Sequence, residues 1–593
     1  MTAPAARPRG SEDLALGVLA VGVAVGGLLW LGGAGYFVLA RRPVPKGRPL
    51  AGLVALAHLG DPEAAWGLHR GSPTLYWAVS ALACLLGAAM AWLARRLWRA
   101  HGPGAGRDGG ELGRLEGTAS RRQVKEAAGA RALVAKATHL RPSLGHPGPG
   151  DVGFKLGRSH GVACWSCVRD SAVVLGPPGA GKGLHLVIPM VLDAPGPVVT
   201  TSTRPDNLAV ALAARARRGP VAVFDPQGLA PGVPSAVRWS PVRGCERPRT
   251  AMARALALVG DASRGTDNAT FWSQQTVQAT RCLLHAAALA GRPTLDLYRW
   301  SLAPANAKDA VDILRDDPGA ALSWGRALDA IVSAERRTRD SVWAMVANTF
   351  AALADPTVLE AVSPGPADAL VPEAFLRNNG TVFLLGTASG ASATSGLVAA
   401  LIEDVVDAAR RLAAASPGAR LDPPLTLVLD EAANYPLPSL SSLMSEGGGS
   451  GICTAVVLQS LAQARDRWGR EAAQAIWDAA TVKVVLGGQA NADDLADLSR
   501  LLGDVEVKEA SESWARGGER TVSVAPRQRP VLEPSRLRTL AFGTGVLLLR
   551  STPPVILDLE PWTARRGAKR LRTEREGIES ALRLGAGGDG RNA

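Results

Sequence analysis

The segment Val173–Gly183 constrains this chain more than any other. It reads Val-Val-Leu-Gly-Pro-Pro-Gly-Ala-Gly-Lys-Gly, an apolar run that breaks into a glycine-rich loop ending in Gly-Lys. Such a run predicts a buried strand, a phosphate-binding loop and the start of a helix. Backbone N–H groups of the loop and the positive end of the helix can hold phosphates, and Lys182 can reach the terminal ones. The residues expected to hold a nucleoside triphosphate are Gly176, Pro177, Pro178, Gly179, Ala180, Gly181, Lys182, Gly183 and Leu184.

A second apolar run, Leu425–Leu429, supplies the carboxylates that such a site needs. Asp430 and Glu431 follow it directly, and open α/β sheets bind ligands at the carboxyl ends of their strands. We expect Asp430 to hold Mg²⁺, directly or through water, and Glu431 to polarise the attacking water. Gln459 ends the next apolar run, where it would sense the γ-phosphate or be an ordinary strand-end glutamine. The pattern predicts ATP hydrolysis with Lys182, Glu431 and Gln459 as catalytic residues.

One part of the expected site is missing. A P-loop usually carries a Ser or Thr after its lysine, and that hydroxyl binds Mg²⁺. Here the residue after Lys182 is Gly183. The metal must therefore take this ligand from water or from another side chain, or be bound weakly, and nothing nearby in the sequence is an obvious substitute.

Strand and helix patterns alternate through most of the chain and predict an α/β fold with a parallel, doubly wound sheet. The strand signal disappears in the middle of this region and then resumes. We therefore expect a nucleotide-binding domain over 154–245 and 373–560, with an all-α domain, 246–372, inserted between its halves. A juxtamembrane linker and short helix occupy 100–153. The basic segment 561–593 is expected to be a solvated, disordered tail.

Two long uncharged runs, at about 14–40 and 74–94, precede the soluble part. Each exceeds the roughly 20 residues that a membrane-spanning helix needs, and the glycines of the first permit close helix packing. A cleaved signal peptide is the alternative for the first run, but the run is too long and a second one follows. Basic residues in the loop 41–73 make the positive-inside rule ambiguous.

Because ATP is cytosolic, the residues that follow the second run must lie in the cytoplasm. The segment 1–99 is therefore predicted to be a two-helix anchor in the cell inner or plasma membrane. Its N-terminus would lie inside, and only a short loop would lie outside. The ATPase domain would then face the cytoplasm.

The formal net charge of +13 favours an anionic partner, either nucleic acid or an anionic membrane surface. The alternative is that basic segments beside the spans and in the tail account for much of it. Six cysteines in 593 residues do not form a disulfide framework. Cys164 and Cys167 form a C-x-x-C pair, but no second pair or histidine cluster completes a zinc site. We expect inert thiols on a strand.

Several segments together resemble the TraG/TraD-type coupling proteins of type IV secretion and conjugation. The family commonly has glycine after the P-loop lysine, so Gly183 fits it. The resemblance covers roughly residues 150–550. Its motifs are Gly176–Pro189, Val198–Ser202 with Thr203-Arg-Pro-Asp206, Phe224–Gly228, Trp239-Ser-Pro241, Phe271-Trp272, Asp430–Asn434, Leu440–Ile452 and Leu458-Gln-Ser460.

This resemblance implies a RecA-like P-loop ATPase that uses ATP and Mg²⁺ and assembles as a homo-hexamer. It would feed DNA or a DNA–protein complex to the components of a membrane secretion channel, and its helical insertion would meet the substrate. Family members often carry a basic residue just before the glutamine strand, acting on the neighbour's ATP. Here Gly447–Ser450 stands at that place. Arg465 and Arg467 are the candidates to replace it.

Two other functions fit the same features. An FtsK-type DNA translocase is also a hexameric motor, but it normally ends in a compact DNA-reading domain. The short, low-complexity C-terminus of this chain argues against that function. A membrane adaptor that binds ATP without acting as a motor is left open by Gly183 and by the absent basic residue.

Overall fold

The computed structural model of the chain describes residues 10–45, 50–69, 71–101, 112–260, 269–387, 394–514 and 520–588. The chain divides into two compact units, Met1–Arg107 and Asp108–Ala593. Residues 102–111 of the predicted juxtamembrane linker lie outside the described residues, as do both ends of the chain.

The first unit is built on two long helices. They are α1 (Gly10–Leu39) and α3 (Pro73–His101), and the short helix α2 (Ala51–Val54) lies between them in the chain. α1 packs along α3. A Cβ atom on Gly32 would lie 2.5 Å from the backbone of Ser80, so glycine is what allows this close approach.

One stretch of the described residues, Pro73–Trp92, is long and apolar enough to cross a membrane, with a mean hydropathy of 1.7. A second apolar stretch, Val25–Leu39, is shorter. The predicted span 74–94 therefore meets the length and hydropathy criterion, whereas the span 14–40 stays a prediction. The large apolar side chains that α3 leaves exposed include Leu75, Leu82, Leu85, Leu86 and Met90.

An eleven-stranded mixed sheet forms the centre of the second unit, and a separate antiparallel hairpin accompanies it. The order across the large sheet is β2-β1-β13-β12-β9-β3-β8-β7-β4-β6-β5, and the hairpin is β10-β11. The strands are β1 (Gly153–Ser159), β2 (Val162–Cys167), β3 (Ala172–Leu175), β4 (Val198–Ser202), β5 (Val221–Phe224), β6 (Thr381–Leu385), β7 (Leu425–Leu429), β8 (Ile452–Leu458), β9 (Val482–Leu486), β10 (Asp504–Trp514), β11 (Arg520–Pro530), β12 (Thr544–Leu549) and β13 (Val555–Asp558).

The seven neighbouring strands from β9 to β5 run parallel. The other four, β12, β13, β1 and β2, pair antiparallel and extend one edge. Parallel strands that are covered on both faces read as continuous apolar runs, which is why the sequence reveals them. The predicted parallel sheet is correct for these seven strands and incomplete for the other four.

Helices cover both faces of the sheet. Val173 and Leu175 of β3 belong to one apolar core, whereas Ala172 and Val174 belong to another. Successive side chains of a strand point to opposite faces, so the two cores lie on opposite sides. The helices before β5 are α4 (Arg121–Ala127), α5 (Ala130–Val134), α6 (Ala137–Leu140), α7 (Pro149–Val152), α8 (Ile188–Asp193) and α9 (Asp206–Ala216).

Between β5 and β6 the described residues contain helices and no named strand. The helices are α10 (Pro248–Val259), α11 (Ala269–Leu289), α12 (Thr294–Leu302), α13 (Lys308–Asp316), α14 (Trp324–Val332), α15 (Arg336–Thr349), α16 (Pro356–Ala361) and α17 (Pro372–Arg377).

A buried carboxylate joins this helical region to the sheet. Asp404 lies in α18 (Ser395–Ala414) and is 3% exposed. It accepts hydrogen bonds from Trp239 Nε1 at 2.9 Å and from Arg243 at 3.1 Å, and it pairs with Arg254 at 2.9 Å. The Arg254 guanidinium also stacks 4.7 Å from the Trp239 ring centroid. The Trp-Ser-Pro motif noted in the sequence therefore contributes a structural anchor.

The prediction of a disordered tail over 561–593 is wrong for its helical part. The remaining helices are α19 (Leu440–Glu446), α20 (Leu461–Trp468), α21 (Arg470–Ala479), α22 (Ala492–Leu502), α23 (Pro534–Arg538) and α24 (Ala568–Gly588). Helix α24 packs on α9. Leu571 is only 8% exposed, and Ile578 and Leu582 join the same core. These three residues share one helix face, which the arginine-rich composition obscures.

Candidate functional site

Four neighbouring strands, β3, β8, β7 and β4, end side by side at one edge of the sheet. Leu175 of β3 is in register with Leu458 of β8. Because these strands are parallel, the residues that follow them meet at this edge. The structure therefore brings together the glycine-rich loop, Gln459, Asp430 and Glu431, all of which the sequence singled out.

The glycine-rich loop follows β3 and turns sharply. Gly179 and Gly181 have φ angles of 80° and 86°, a region that glycine adopts without strain. A Cβ atom on Gly181 would lie 2.7 Å from Nδ1 of His185. That ring nitrogen is hydrogen-bonded to the carbonyl oxygen of Gly181 at 3.0 Å, and Phe542 packs edge-on against the ring at 5.1 Å. His185 and Phe542 thus support the loop.

The helix after the loop starts with an unusual turn. Gly183–Val187 forms a π-helix, and α8 continues from it. Pro189 has no N–H group and cannot donate the regular helical hydrogen bond at this point. Such π-helical turns are rare, and they often occur at functional sites. The first N–H groups of this helix are therefore available beside Lys182.

The ammonium group of Lys182 is held inside the loop. Its Nζ donates to the carbonyl oxygens of Gly176 at 2.5 Å and Pro177 at 3.0 Å. Burial lowers the pKa of Lys182, and the nearby carboxylates of Asp430 and Glu431 act in the opposite direction. The lysine thus lies within electrostatic reach of both carboxylates, 248 and 249 residues later in the chain.

Asp430 is a buried carboxylate at the end of β7. Burial raises its pKa to about 6, although Asn207 and Lys182 both favour the ionised form. The Asn207 side-chain Nδ2 donates to Asp430 Oδ2 at 3.2 Å. Thr201 Oγ1 donates to the backbone oxygen of Asp430 at 2.8 Å. Together these contacts fix the carboxylate within electrostatic reach of the loop lysine.

Glu431 has a strained backbone with φ at 50°. Its carboxylate Oε2 accepts hydrogen bonds from Thr203 Oγ1 at 2.8 Å and from Asn434 Nδ2 at 2.9 Å. Left-handed backbone in a non-glycine residue is costly and is kept where the surroundings hold it. The two hydrogen bonds and this backbone conformation fix the direction of the carboxylate.

Gln459 follows β8, which lies between the loop strand and the carboxylate strand. The backbone N–H of Gly176 donates to the carbonyl oxygen of Leu458 at 3.1 Å, so the glutamine adjoins the start of the loop. Gln459 is half-buried, and its own N–H donates to Oε1 of Gln463 at 3.4 Å.

Thr203, Asn207 and Asn434 contact the two carboxylates. The sequence analysis placed Thr203 and Asn434 in motifs of the family resemblance, but it gave none of the three residues a role in the site. The signal was weak but present, since Thr203 and Asn207 follow β4 and β4 neighbours the Asp430 strand. A polar residue that follows a strand can be assigned to a site only when the neighbours of that strand are known. The sequence does not give the order of the strands in the sheet.

The oxygen donors of the site fit a magnesium ion. Mg²⁺ prefers oxygen ligands and usually binds through one or two carboxylates together with substrate phosphates. Asp430 supplies one carboxylate, and the side chain of Asn207 lies beside it. A Cβ atom on Gly183 would have only Asn207 Oδ1 within 4 Å, so the space there is open. In the part of the chain that the structure describes, no group of three His, Cys, Asp or Glu residues suggests another metal centre.

The two arginines proposed from the sequence to replace the absent basic residue make local contacts. Arg465 pairs with the buried Asp494 at 2.6 Å. Arg467 lies 3.8 Å from Asp466. Within the Gly447–Ser450 segment itself, the carbonyl oxygens of Gly448 and Gly449 accept hydrogen bonds from Nη1 of Arg420. Sequence analysis did not connect this arginine with the segment.

Cys164 and Cys167 lie on β2, and both are buried. Burial raises the pKa of Cys164 to about 12. It also raises the pKa of Cys167. These thiols stay protonated and unreactive at neutral pH, as the sequence analysis expected.

The sheet order, the two-sided helical cover and the loop at the strand ends define a RecA-like nucleotide-binding fold. Residues 424–542 match the protein family described as the TraM recognition site of TraD and TraG. No curated protein sequence matches the chain. Among solved structures, the unbound bacterial conjugative coupling protein TrwBdeltaN70 is similar, with a TM-score of 0.53 and 20% identity, over 68% of this chain and 88% of that chain.

Plasmid coupling protein TrwB in complex with ADP and Mg²⁺ is also similar, with a TM-score of 0.50 and 20% identity, over 68% of this chain and 89% of that chain. Its complex with a non-hydrolysable ATP analogue gives a TM-score of 0.50 at 19% identity, with the same coverage. At such identities the likeness shows a shared fold. Together with the family match, it confirms the resemblance to TraG/TraD-type coupling proteins that the motifs indicate.

Proposed function

We propose that this chain is a membrane-anchored ATPase coupling protein. It recruits DNA or a DNA–protein complex and drives it into a type IV secretion or conjugation channel. The observation that carries this proposal is the meeting of Lys182 with Asp430 and Glu431 at one edge of a RecA-like sheet. The similar TrwB structures, whose titles name a coupling protein with ADP and Mg²⁺ or with an ATP analogue, support ATP and Mg²⁺ as cofactors.

Phosphate binding follows from the loop. Gly179 and Gly181 give the loop the left-handed turns in which successive backbone N–H groups would form a concave anion site before the helix. Lys182 now donates to two loop carbonyl oxygens, and a bound phosphate would offer its ammonium a charged acceptor instead. These groups would hold the β- and γ-phosphates of ATP.

Hydrolysis requires an oriented water and compensation of charge. Glu431, fixed by Thr203 and Asn434, would polarise that water, and Gln459 would orient it near the γ-phosphate. Asp430 would hold Mg²⁺. When bound, the ion supplies neutralisation of the charge that develops on the phosphate oxygens.

Membrane anchoring and assembly complete the proposal. Pro73–Trp92 would cross the membrane, with the segment near 14–40 as a second span and the ATPase in the cytoplasm. The chain would act as a homo-hexamer beside channel components, with the helical region between β5 and β6 meeting the substrate. The net charge of +13 suits a nucleic acid substrate. The description of the matched family suggests that residues 424–542 also receive a TraM-type protein partner.

The test is a Lys182→Ala variant of the full-length chain. We expect ATP turnover and DNA transfer to be abolished, because the ammonium contacts the phosphates, while membrane insertion is retained. ATP hydrolysis with and without DNA and transfer between cells are the measurements. Lys136→Ala, at an exposed position outside the site, serves as the matched control and should keep both activities.

Two results would contradict the proposal. Undiminished DNA transfer by Lys182→Ala would show that the loop does not drive transport. A wild-type chain that binds ATP but does not hydrolyse it, even with DNA, would favour the adaptor without motor activity.

A further inference from the structure

The space beside Gly183 is the most informative unexplained feature of the site. A hydroxyl at this position normally contributes a ligand to Mg²⁺ in P-loop proteins. Gly183 has no side chain, and outside its own helix a Cβ atom built there would have a single neighbouring atom within 4 Å. That atom is Oδ1 of Asn207, at 3.7 Å. An amide oxygen thus lies next to the place that a serine hydroxyl would occupy.

Asn207 is held in this position by its surroundings. It lies in the first turn of α9, directly after the loop that leaves β4, and it is only 4% exposed. Its Nδ2 donates to Oδ2 of Asp430 at 3.2 Å. Asn207 thus lies between the carboxylate that we propose to hold Mg²⁺ and the open space beside Gly183.

The orientation of the Asn207 amide follows from its partner. An ionised carboxylate only accepts hydrogen bonds, so the NH₂ group must face Asp430. The opposite atom of the amide, the oxygen, then faces the Gly183 side. The amide oxygen and the Asp430 carboxylate are thus two neighbouring oxygen atoms that could bind a metal ion.

We propose that the amide oxygen of Asn207 replaces the absent P-loop hydroxyl as a ligand of the nucleotide-bound Mg²⁺. This inference rests on the proposed function, since it concerns the metal of the same ATP site. Carbonyl-type oxygens are good ligands for hard divalent cations. The Asn207 side chain thus compensates for Gly183, with the ligand coming from the start of helix α9 instead of from the loop.

The first experiment measures how Mg²⁺ changes nucleotide affinity. A non-hydrolysable ATP analogue is titrated into the purified full-length chain, either with Mg²⁺ at increasing concentration or with EDTA. The Mg²⁺ requirement is the Mg²⁺ concentration needed for tight binding of the analogue. For Asn207→Ala we expect this concentration to be about tenfold to a hundredfold higher, as is typical when a metal site is disturbed. Affinity in EDTA should equal that of the wild type, which also shows that the variant is folded.

The second experiment supplies the metal ligand from the P-loop instead of from residue 207. Gly183→Ser in the Asn207→Ala background places a hydroxyl in space that the structure leaves open. We expect it to return the Mg²⁺ requirement to within a few fold of the wild type.

Asn434→Ala is the matched control. It removes another side-chain amide of the site, and this amide contacts Glu431 instead of Asp430. Its Mg²⁺ requirement for binding should stay within a few fold of the wild type. This comparison separates a metal ligand from a general disturbance of the carboxylates.

Several results would overturn the proposal. One is an unchanged Mg²⁺ requirement in Asn207→Ala, and another is an equal loss of affinity in EDTA, which would indicate a structural role. Failure of Gly183→Ser to restore the requirement would show that Asn207 acts only by placing Asp430. If the wild-type chain bound no analogue in either condition, the proposed function itself would fail.

Discussion

The hydroxyl of Thr203 donates a 2.8 Å hydrogen bond to Oε2 of Glu431, although 228 residues separate the two in the chain. Thr203 follows β4 and Glu431 follows β7, and these strands pair directly. The contact therefore depends on the strand order. It holds the carboxylate that we propose to polarise the attacking water.

We expect Thr203→Val to lower ATP turnover by about tenfold to a hundredfold, because a misdirected carboxylate loses the geometry of attack. Valine keeps the shape of threonine and removes the donor. Nucleotide affinity should change little, so the effect should appear in kcat and not in KM. Thr203→Ser retains the hydroxyl and should recover most of the rate. Wild-type turnover in the valine variant would contradict the role of this contact.

Glu373 should make stability depend on pH. Burial alone would raise its pKa, but its own backbone N–H and the guanidinium groups of Arg411 and Arg243 outweigh burial and lower the pKa from 4.5 to about 2. Each guanidinium lies 2.7 Å from one carboxylate oxygen. Because the pKa is lowered in the folded state, the stabilisation is fully present above pH 4.5 and is lost as the pH falls towards 2.

Glu373→Gln should therefore reduce the free energy of unfolding by about 2 kcal/mol at pH 7, a value reduced for partial exposure. The difference from the wild type should shrink progressively below pH 4.5. Denaturant unfolding at several pH values measures both effects. Glu360→Gln breaks an exposed ion pair with Arg238 and should change stability by less than about 0.5 kcal/mol. If the difference in the free energy of unfolding between Glu373→Gln and the wild type did not change with pH, the ion pairs of Glu373 would not be the source of the stabilisation.

The C-terminal helix should contribute to the stability of the nucleotide-binding fold. Leu571 is 8% exposed and packs in the core that α24 shares with α9, so Leu571→Ala should cost about 2–3 kcal/mol. Leu584 lies on the same helix but is 79% exposed, and Leu584→Ala should cost no more than about 0.5 kcal/mol. Thermal unfolding of the two variants makes the comparison. Equal melting temperatures would indicate that α24 does not stay packed in solution.

Arg465 should act on stability within its own chain. It pairs at 2.6 Å with Asp494, whose side chain is 4% exposed. Arg465→Ala leaves that carboxylate buried without its partner, and we expect a loss of about 2 kcal/mol. Removing Asp494 as well, in the Arg465→Ala/Asp494→Ala double variant, should recover part of the loss.

Chemical unfolding together with DNA-stimulated ATP hydrolysis distinguishes this role from action on a neighbouring subunit. A residue acting on the neighbour's ATP would lower turnover in Arg465→Ala without lowering stability. In that case, the additional Asp494→Ala change would bring no recovery.

The sequence analysis located the loop, the carboxylate pair and Gln459 because each lies at the end of a continuous apolar run. Parallel strands buried on both faces produce such runs, and their carboxyl ends bind ligands. Among the four antiparallel strands at the sheet edge, β12 and β13 are apolar runs as well, but nothing in such a run shows that it pairs antiparallel. Helix α24 was missed because its apolar face comprises few residues among many arginines.

By itself, the sequence determined which residues we propose for the chemistry and that they follow strands of an α/β fold. Those properties are local, since they depend on side-chain type and on the period of apolar residues. Only the tertiary structure decided that β4 lies beside β7, and hence that Thr203 and Asn207 reach Glu431 and Asp430. Strand order is fixed by the packing of the whole sheet, so no short stretch of sequence contains it.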